Sequence, residues 1–213
     1  MTMASNLRTR RDRWADWLVV GVIVVALLLG WAAKSWAEGS TESFTEAETG
    51  LSLNYPAGWL AGSSEDYLFQ ARDPQSGLFK TTYRIVADKL DPDRPRSLVD
   101  AVNTTSVSRA RKLTAFRLLD IVPVDEEGQA LTSNMEMEGG EPKAPRAIWA
   151  RYVYVEEKPD PFRESLPVVV LGLDYTAVRG DYLYTVTLLA SEASFDQAEQ
   201  EFKTFLQDAG FGG

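Results

Sequence analysis

The stretch from Trp17 to Ala33 constrains this chain most, because none of its side chains is charged. At about 1.5 Å of rise per residue its 17 residues make a helix of roughly 26 Å, close to the ~30 Å hydrocarbon thickness of a bilayer. The run is apolar all round, unlike a helix that lays one face on a soluble core. Arg8, Arg10, Arg11 and Arg13 precede it, only Lys34 follows closely, and Trp14, Trp17, Trp31 and Trp36 stand at its two ends. Indole rings gather where hydrocarbon meets headgroups, and the arginine-rich side of a spanning helix stays in the cytoplasm. The sequence therefore predicts a cytoplasmic basic tail over 1–13, a transmembrane helix over 14–36, and the rest of the chain outside a cell membrane that it crosses once. The four arginines and four tryptophans are the predicted anchor and interface residues, and the lipid bilayer the first predicted partner. A cleaved signal peptide is the alternative, since Ser35, Trp36 and Ala37 offer small residues for cleavage. The apolar segment exceeds the roughly 7 to 15 residues of such a peptide, which favours a retained signal-anchor.

Beyond a polar linker over 37–43, "AEGSTES", residues 44–213 make one domain of ordinary size. Charge is unevenly divided. Up to Ala37 five cations face two acids, so a total of −9 leaves −12 for the remainder. Such a domain repels phosphate backbones, which argues against nucleic acid as a partner. Neither Cys nor His occurs. That removes Ser-His-Asp and Cys-His nucleophiles, disulfides, thiolate redox chemistry, lipid-modified cysteine and the usual zinc ligand sets.

The domain reads as strands in hairpins with two separated helices. Leu51 to Tyr55 alternates and stops at Pro56, after which Trp59 is expected to fold back over the core edge. Tyr67–Arg72 and Leu78–Leu90 flank a turn at Asp73, Pro74 and Gly77. Ser97 and Asp100 begin a helix from Leu98 to about Arg111 whose apolar stripe is thin: Leu98, Ala101, Val102 and Thr105. Strands follow at Phe116–Val124, Gln129–Glu136, Arg146–Val155, Val168–Tyr175 and Tyr182–Leu189, the last two apolar on both faces and hence central. Ser194 and Gln197 open a closing helix with Phe195, Ala198, Phe202, Phe205, Leu206 and Ala209 on one face, and Gly210 stops it. The predicted class is α+β, an antiparallel sheet covered by two helices and preceded by one transmembrane helix.

Three segments, "GLSLNYPAGW", "SLVDAV" after a Pro-containing connector, and "GDYLYTVTLLASEASFDQAEQEFKTFLQ", together resemble the PsbP-like family over roughly Phe44 to Phe211. The resemblance implies an α/β/α sandwich serving as an extracytoplasmic accessory domain, often attached to or assembled with a membrane complex. No catalytic motif comes with it. Metal-linked residues of plant members include His, which this chain lacks, so no metal site carries over.

Other patterns reduce to structure. Asp91 and Asp93 are two apart, but the oxygens of a calcium loop are missing and Arg94 and Arg96 follow. Glu136, Glu138 and Glu141 read as solvated acids at a strand end rather than a glycosidase pair. Arg179-Gly180-Asp181 reads as a hairpin turn, and Asn103-Thr104-Thr105 as helix surface rather than a glycosylation site. The expectation is a membrane-anchored binding or assembly module without enzymatic activity and without a cofactor, meeting a protein partner at the membrane or cell envelope. Its alternatives are an extracytoplasmic hydrolase using carboxylates or Ser/Lys, and a carrier of a small apolar ligand between sheet and helix.

Overall fold

The computed structural model describes residues 10–38, 40–93, 97–125, 130–131, 145–157 and 167–211; within the first helix, side chains are described from Trp17 to Trp31. The apolar run is helical, α1 (Arg10–Glu38), and every described side chain along it is exposed. A membrane span over 14–36 does not follow from it. Among the described residues no helix is long and apolar enough to cross a membrane, the fifteen described positions of α1 giving only about 22 Å of apolar length. Nor is 37–43 a free linker, since α1 runs to Glu38 and a strand begins at Thr41.

Two sheets follow, both antiparallel. β1 (Thr41–Thr45) and β2 (Ser52–Pro56) form a hairpin, and Ala57 N–H closes on the Ser40 carbonyl at 2.9 Å. The main sheet has seven described strands: β3 (Leu60–Ser64), β4 (Tyr67–Arg72), β5 (Thr82–Lys89), β6 (Thr114–Val124), β7 (Ala147–Glu156), β8 (Val168–Arg179) and β9 (Tyr182–Ser191). They lie side by side in the order β3-β4-β5-β9-β8-β7-β6, which puts the double-apolar strands β8 and β9 in the middle, as their sequences predict. The short strand β3 has no counterpart in the sequence reading, because its five residues are all exposed and carry no alternation. β5 starts at Thr82 rather than Leu78: Leu78 is exposed, and Phe79 turns into the fold from the preceding loop. The predicted strand Gln129–Glu136 falls largely outside the described residues.

Helix α2 (Leu98–Lys112) covers one face of the main sheet and α3 (Phe195–Asp208) the other. The start of α2 is the predicted one: Ser97 Oγ accepts from Asp100 N–H at 3.1 Å and donates to the Asp100 carboxylate at 2.7 Å. The predicted cap on α3 is not made. A short 3-10 turn, Glu192–Ser194, precedes that helix, Ser194 Oγ donates to the Ser191 carbonyl, and Gln197 donates to Glu201. At its far end Gly210, at φ +74°, lets Phe211 N–H reach the Leu206 carbonyl at 2.9 Å, a left-handed close that needs glycine.

The two faces differ in kind. Under α3 and the β1–β2 hairpin lies a continuous aromatic core in which Phe202 packs 5.3 Å from Tyr83 and 6.4 Å from Trp149. Trp59 folds onto it as predicted, 4.7 Å from Tyr83. Under α2 the apolar contacts split into two small groups, one around Val102, Ile148 and Ala150 and one around Phe79, Tyr152, Tyr154 and Val170. This is what a thin apolar stripe produces: a helix that seats only Ala101 and Val102 deeply cannot close a hydrophobic layer.

Candidate functional site

A polar band fills the space that α2 leaves open. Asp174 on β8 stands opposite Thr187 on β9, which in turn stands opposite Arg84 on β5. Strand alternation aims all three toward α2. Asp174 is buried, and one turn before its end α2 delivers Arg109 to it. Both Arg109 Nη atoms donate to the Asp174 carboxylate, Nη2 to Oδ1 at 3.1 Å, and Thr187 Oγ1 donates to Oδ1 at 2.8 Å. Burial works most strongly against the Arg109 charge, but the Asp174 carboxylate, together with Tyr152 and Tyr154, outweighs it and holds the guanidinium above its ordinary pKa.

The guanidinium also lies over the Tyr152 ring, 4.4 Å from its centre, and that ring covers Gly172 on the neighbouring strand. The stack tolerates no side chain beneath it: a Cβ on Gly172 would fall 2.2 Å from Tyr152 Cζ. Arg109 thus ties α2 to the sheet through an ion pair and a ring at once.

Around this strut runs a groove of about 750 Å³ between α2 and strands β5, β7 and β9. Five cations line it, Arg72, Lys80, Arg84, Arg109 and Lys112, against two acids, Asp88 and Glu156. Among the described residues only Arg109 of these is paired with a carboxylate. Arg84 donates from Nε (3.1 Å) and Nη2 (2.9 Å) to the neutral amide oxygen of Gln70, and Lys80 donates to the carbonyls of Pro74 and Ser76. The side chains of Arg72 and Lys112 have no hydrogen bond or ion pair among the described residues. Hydroxyls from Thr82, Thr104, Thr105, Ser108 and Thr187 complete the polar lining, and Phe79, Leu113 and Leu189 give it apolar patches. The Tyr154 hydroxyl is pushed up to about 12, by burial first and then by Glu156, and stays protonated at neutral pH.

The opposite face bears a cleft of about 890 Å³ beside Trp59 and Tyr83, lined by Asp73, Glu201 and Asp208 without a cation. Nearby, Glu199 is held by Arg151 at 2.8 Å and by Lys203 at 2.8 Å. Among the described residues no group of three or more acids lies close enough to hold a metal ion.

The residues singled out by sequence are scattered rather than gathered. Trp17 and Trp31 stand exposed at either end of the described part of α1; the side chains of Arg10, Arg11, Arg13, Trp14 and Trp36 on that helix, and all of Arg8, are outside the described residues. Glu136, Glu138 and Glu141 lie outside them too. Asp91 accepts from Asp93 N–H at 3.0 Å in a local turn, and Asn103 is exposed on α2. In Arg179-Gly180-Asp181, glycine turns the β8–β9 hairpin at φ +59° and Arg179 donates to the Ala209 carbonyl at the end of α3. The Arg109–Asp174 pair and the groove were not among the sequence candidates. Their one signal was Asp174, the single acid of "VVVLGLDYTAV", since a carboxylate in a strand covered on both faces requires a cation from outside the strand.

Two covering layers, one helical and one a helix with a hairpin, on an antiparallel sheet define an α+β sandwich of PsbP-like type. The solution structure of cyanobacterial PsbP (CyanoP) from Synechocystis superposes with a TM-score of 0.53 at 15% identity, covering 79% of this chain and 91% of that one. A Pseudomonas aeruginosa protein of unknown function, PA94, superposes at 0.45 and 17% identity, over 79% and 95% of the two chains. No family model matches the chain, and no curated protein matches its sequence. At 15% identity the likeness to the cyanobacterial protein is one of fold.

Proposed function

We propose that this protein is a membrane-anchored binding or assembly module. Its N-terminal helix holds it to the cell membrane with the arginine end inside, and its α+β domain works outside as an accessory subunit for a protein partner. The observation that supports this reading is α1, whose described apolar side chains are all open, with Trp17 75%, Leu27 68% and Trp31 71% exposed. An apolar surface of that extent calls for lipid or protein cover. The PsbP-like fold is compatible with an accessory role and adds no chemistry of its own. Of the other readings, carriage of a small apolar ligand suits the groove between the sheet and α2 poorly, because cations line it.

Membranes washed in alkaline carbonate test the anchor: the protein is expected to stay in the pellet, with its domain removed by protease added to intact cells. Release into the wash, a mature chain that begins at Glu38, or protection of the domain in intact cells overturns it. Mild detergent extraction followed by cross-linking is expected to return a reproducible partner, and a clean monomer would count against the assembly role.

A further inference from the structure

The groove beside α2 is out of keeping with the chain that carries it. A protein of net charge −9 places five cations around one concavity and leaves four of them without a carboxylate partner among the described residues. Counting Asp174 with Asp88 and Glu156, three acids face five cations, which leaves two positive charges over. Arg84 and Arg109 approach Thr187 from opposite sides, Arg84 as its cross-strand neighbour and Arg109 Nη2 at 3.5 Å from its hydroxyl. The Arg109–Asp174 pair and the Gln70 amide fix the two guanidiniums in place, so their remaining N–H groups meet a ligand with little further ordering.

We infer that this groove is a binding site for an organic phosphate, held by Arg72, Arg84 and Lys112 with Thr and Ser hydroxyls around it. A phosphate monoester brings a charge near −2 and several acceptor oxygens, which matches both the excess of charge and the donors. The space is larger than the ion needs, and Phe79, Leu113 and Leu189 provide contact for an attached organic body. The donors are the same for a free metabolite phosphate and for the headgroup of an anionic lipid. This rests on the protein being a binding module, and does not depend on how it is attached to the membrane.

The test uses the full chain in neutral detergent, titrated calorimetrically with glycerol 3-phosphate and with glycerol as the uncharged control. In parallel, native mass spectrometry follows adducts with phosphatidic acid and with phosphatidylcholine. The comparison protein carries Arg84→Gln with Lys112→Gln, and Arg179→Gln outside the groove serves as the control. Saturable binding of glycerol 3-phosphate, absent with glycerol and weakened about tenfold or more in the double variant, establishes a free phosphate ligand. A retained phosphatidic acid adduct that the double variant loses, without binding of the soluble probe, establishes the lipid source. If the double variant melts early, the exposed Arg72→Gln replaces it. Absence of both forms of binding, or binding that well-folded groove variants leave unchanged, overturns the inference. Release of the protein by carbonate would end the anchor reading and leave this measurement standing.

Discussion

Replacing Asp174 by Asn removes one negative charge and almost no volume, and so isolates what the buried ion pair does. The wild-type carboxylate is 5% exposed and accepts from both Arg109 nitrogens and from Thr187. An asparagine keeps one acceptor and turns an NH₂ toward the guanidinium, so at least one charge-assisted hydrogen bond is lost and the remaining one is weakened. Losing one partner of a buried pair costs about 3–5 kcal/mol. The Arg109 side chain is 21% exposed and draws on water for part of its compensation, which places the expected loss near the lower figure, about 3 kcal/mol. For a domain of this size that lowers the melting temperature by about 6–12 °C. Urea and thermal unfolding, followed by near-ultraviolet circular dichroism, measure it. The companion variant Arg109→Met/Asp174→Leu removes both charges and is expected to recover most of the loss, since apolar groups of similar volume replace such pairs at little cost. A loss below about 1 kcal/mol for D174N, or a double variant as unstable as the sum of the two single ones, would refute the view that this pair clamps α2 to the sheet.

Two further outcomes follow from the same region. Gly172→Ala forces the Tyr152 ring out from under Arg109 and is expected to cost about 1–3 kcal/mol by overpacking; adding Tyr152→Ala to that variant should cost less than the two separate effects combined, as a double-mutant cycle would show. Stability should also fall in alkali. Burial holds the hydroxyls of Tyr83, Tyr152 and Tyr154 above the ordinary value of 10.0, that of Tyr154 at about 12, so the folded chain keeps protons that the unfolded chain gives up. The contribution of Tyr154 is complete below pH 10 and is lost as the pH rises to about 12, by about 1.4 kcal/mol per pH unit, while those of Tyr83 and Tyr152 go on falling at higher pH. Tyrosinate absorbance should therefore show Tyr83, Tyr152 and Tyr154 ionising only as the protein unfolds; complete ionisation of the tyrosines before unfolding would contradict it.

Where apolar periodicity was strong, the sequence read correctly. The wide face of α3, with Phe202 at its centre, and the double-sided pattern of β8 and β9 led straight to a sheet with its middle strands covered on both sides. Reading failed where the pattern was thin or the partner distant. β3 is exposed at every position and has nothing periodic to report. Leu78 and Phe79 looked like the start of a strand, yet one points to solvent and the other plugs the space beneath α2, a distinction that tertiary packing alone makes. The groove was invisible for a similar reason: Arg72, Arg84 and Arg109 come from three elements, and each alone looks like an ordinary surface cation.

Between the last residue of α1, Glu38, and the first of β1, Thr41, the chain has a leash of two residues, three Cα–Cα steps that at full stretch cover about 10 Å. With α1 seated in a bilayer, the folded body could neither roam nor reach upward. It would skim the lipid surface, searching in two dimensions for any partner held in the same membrane.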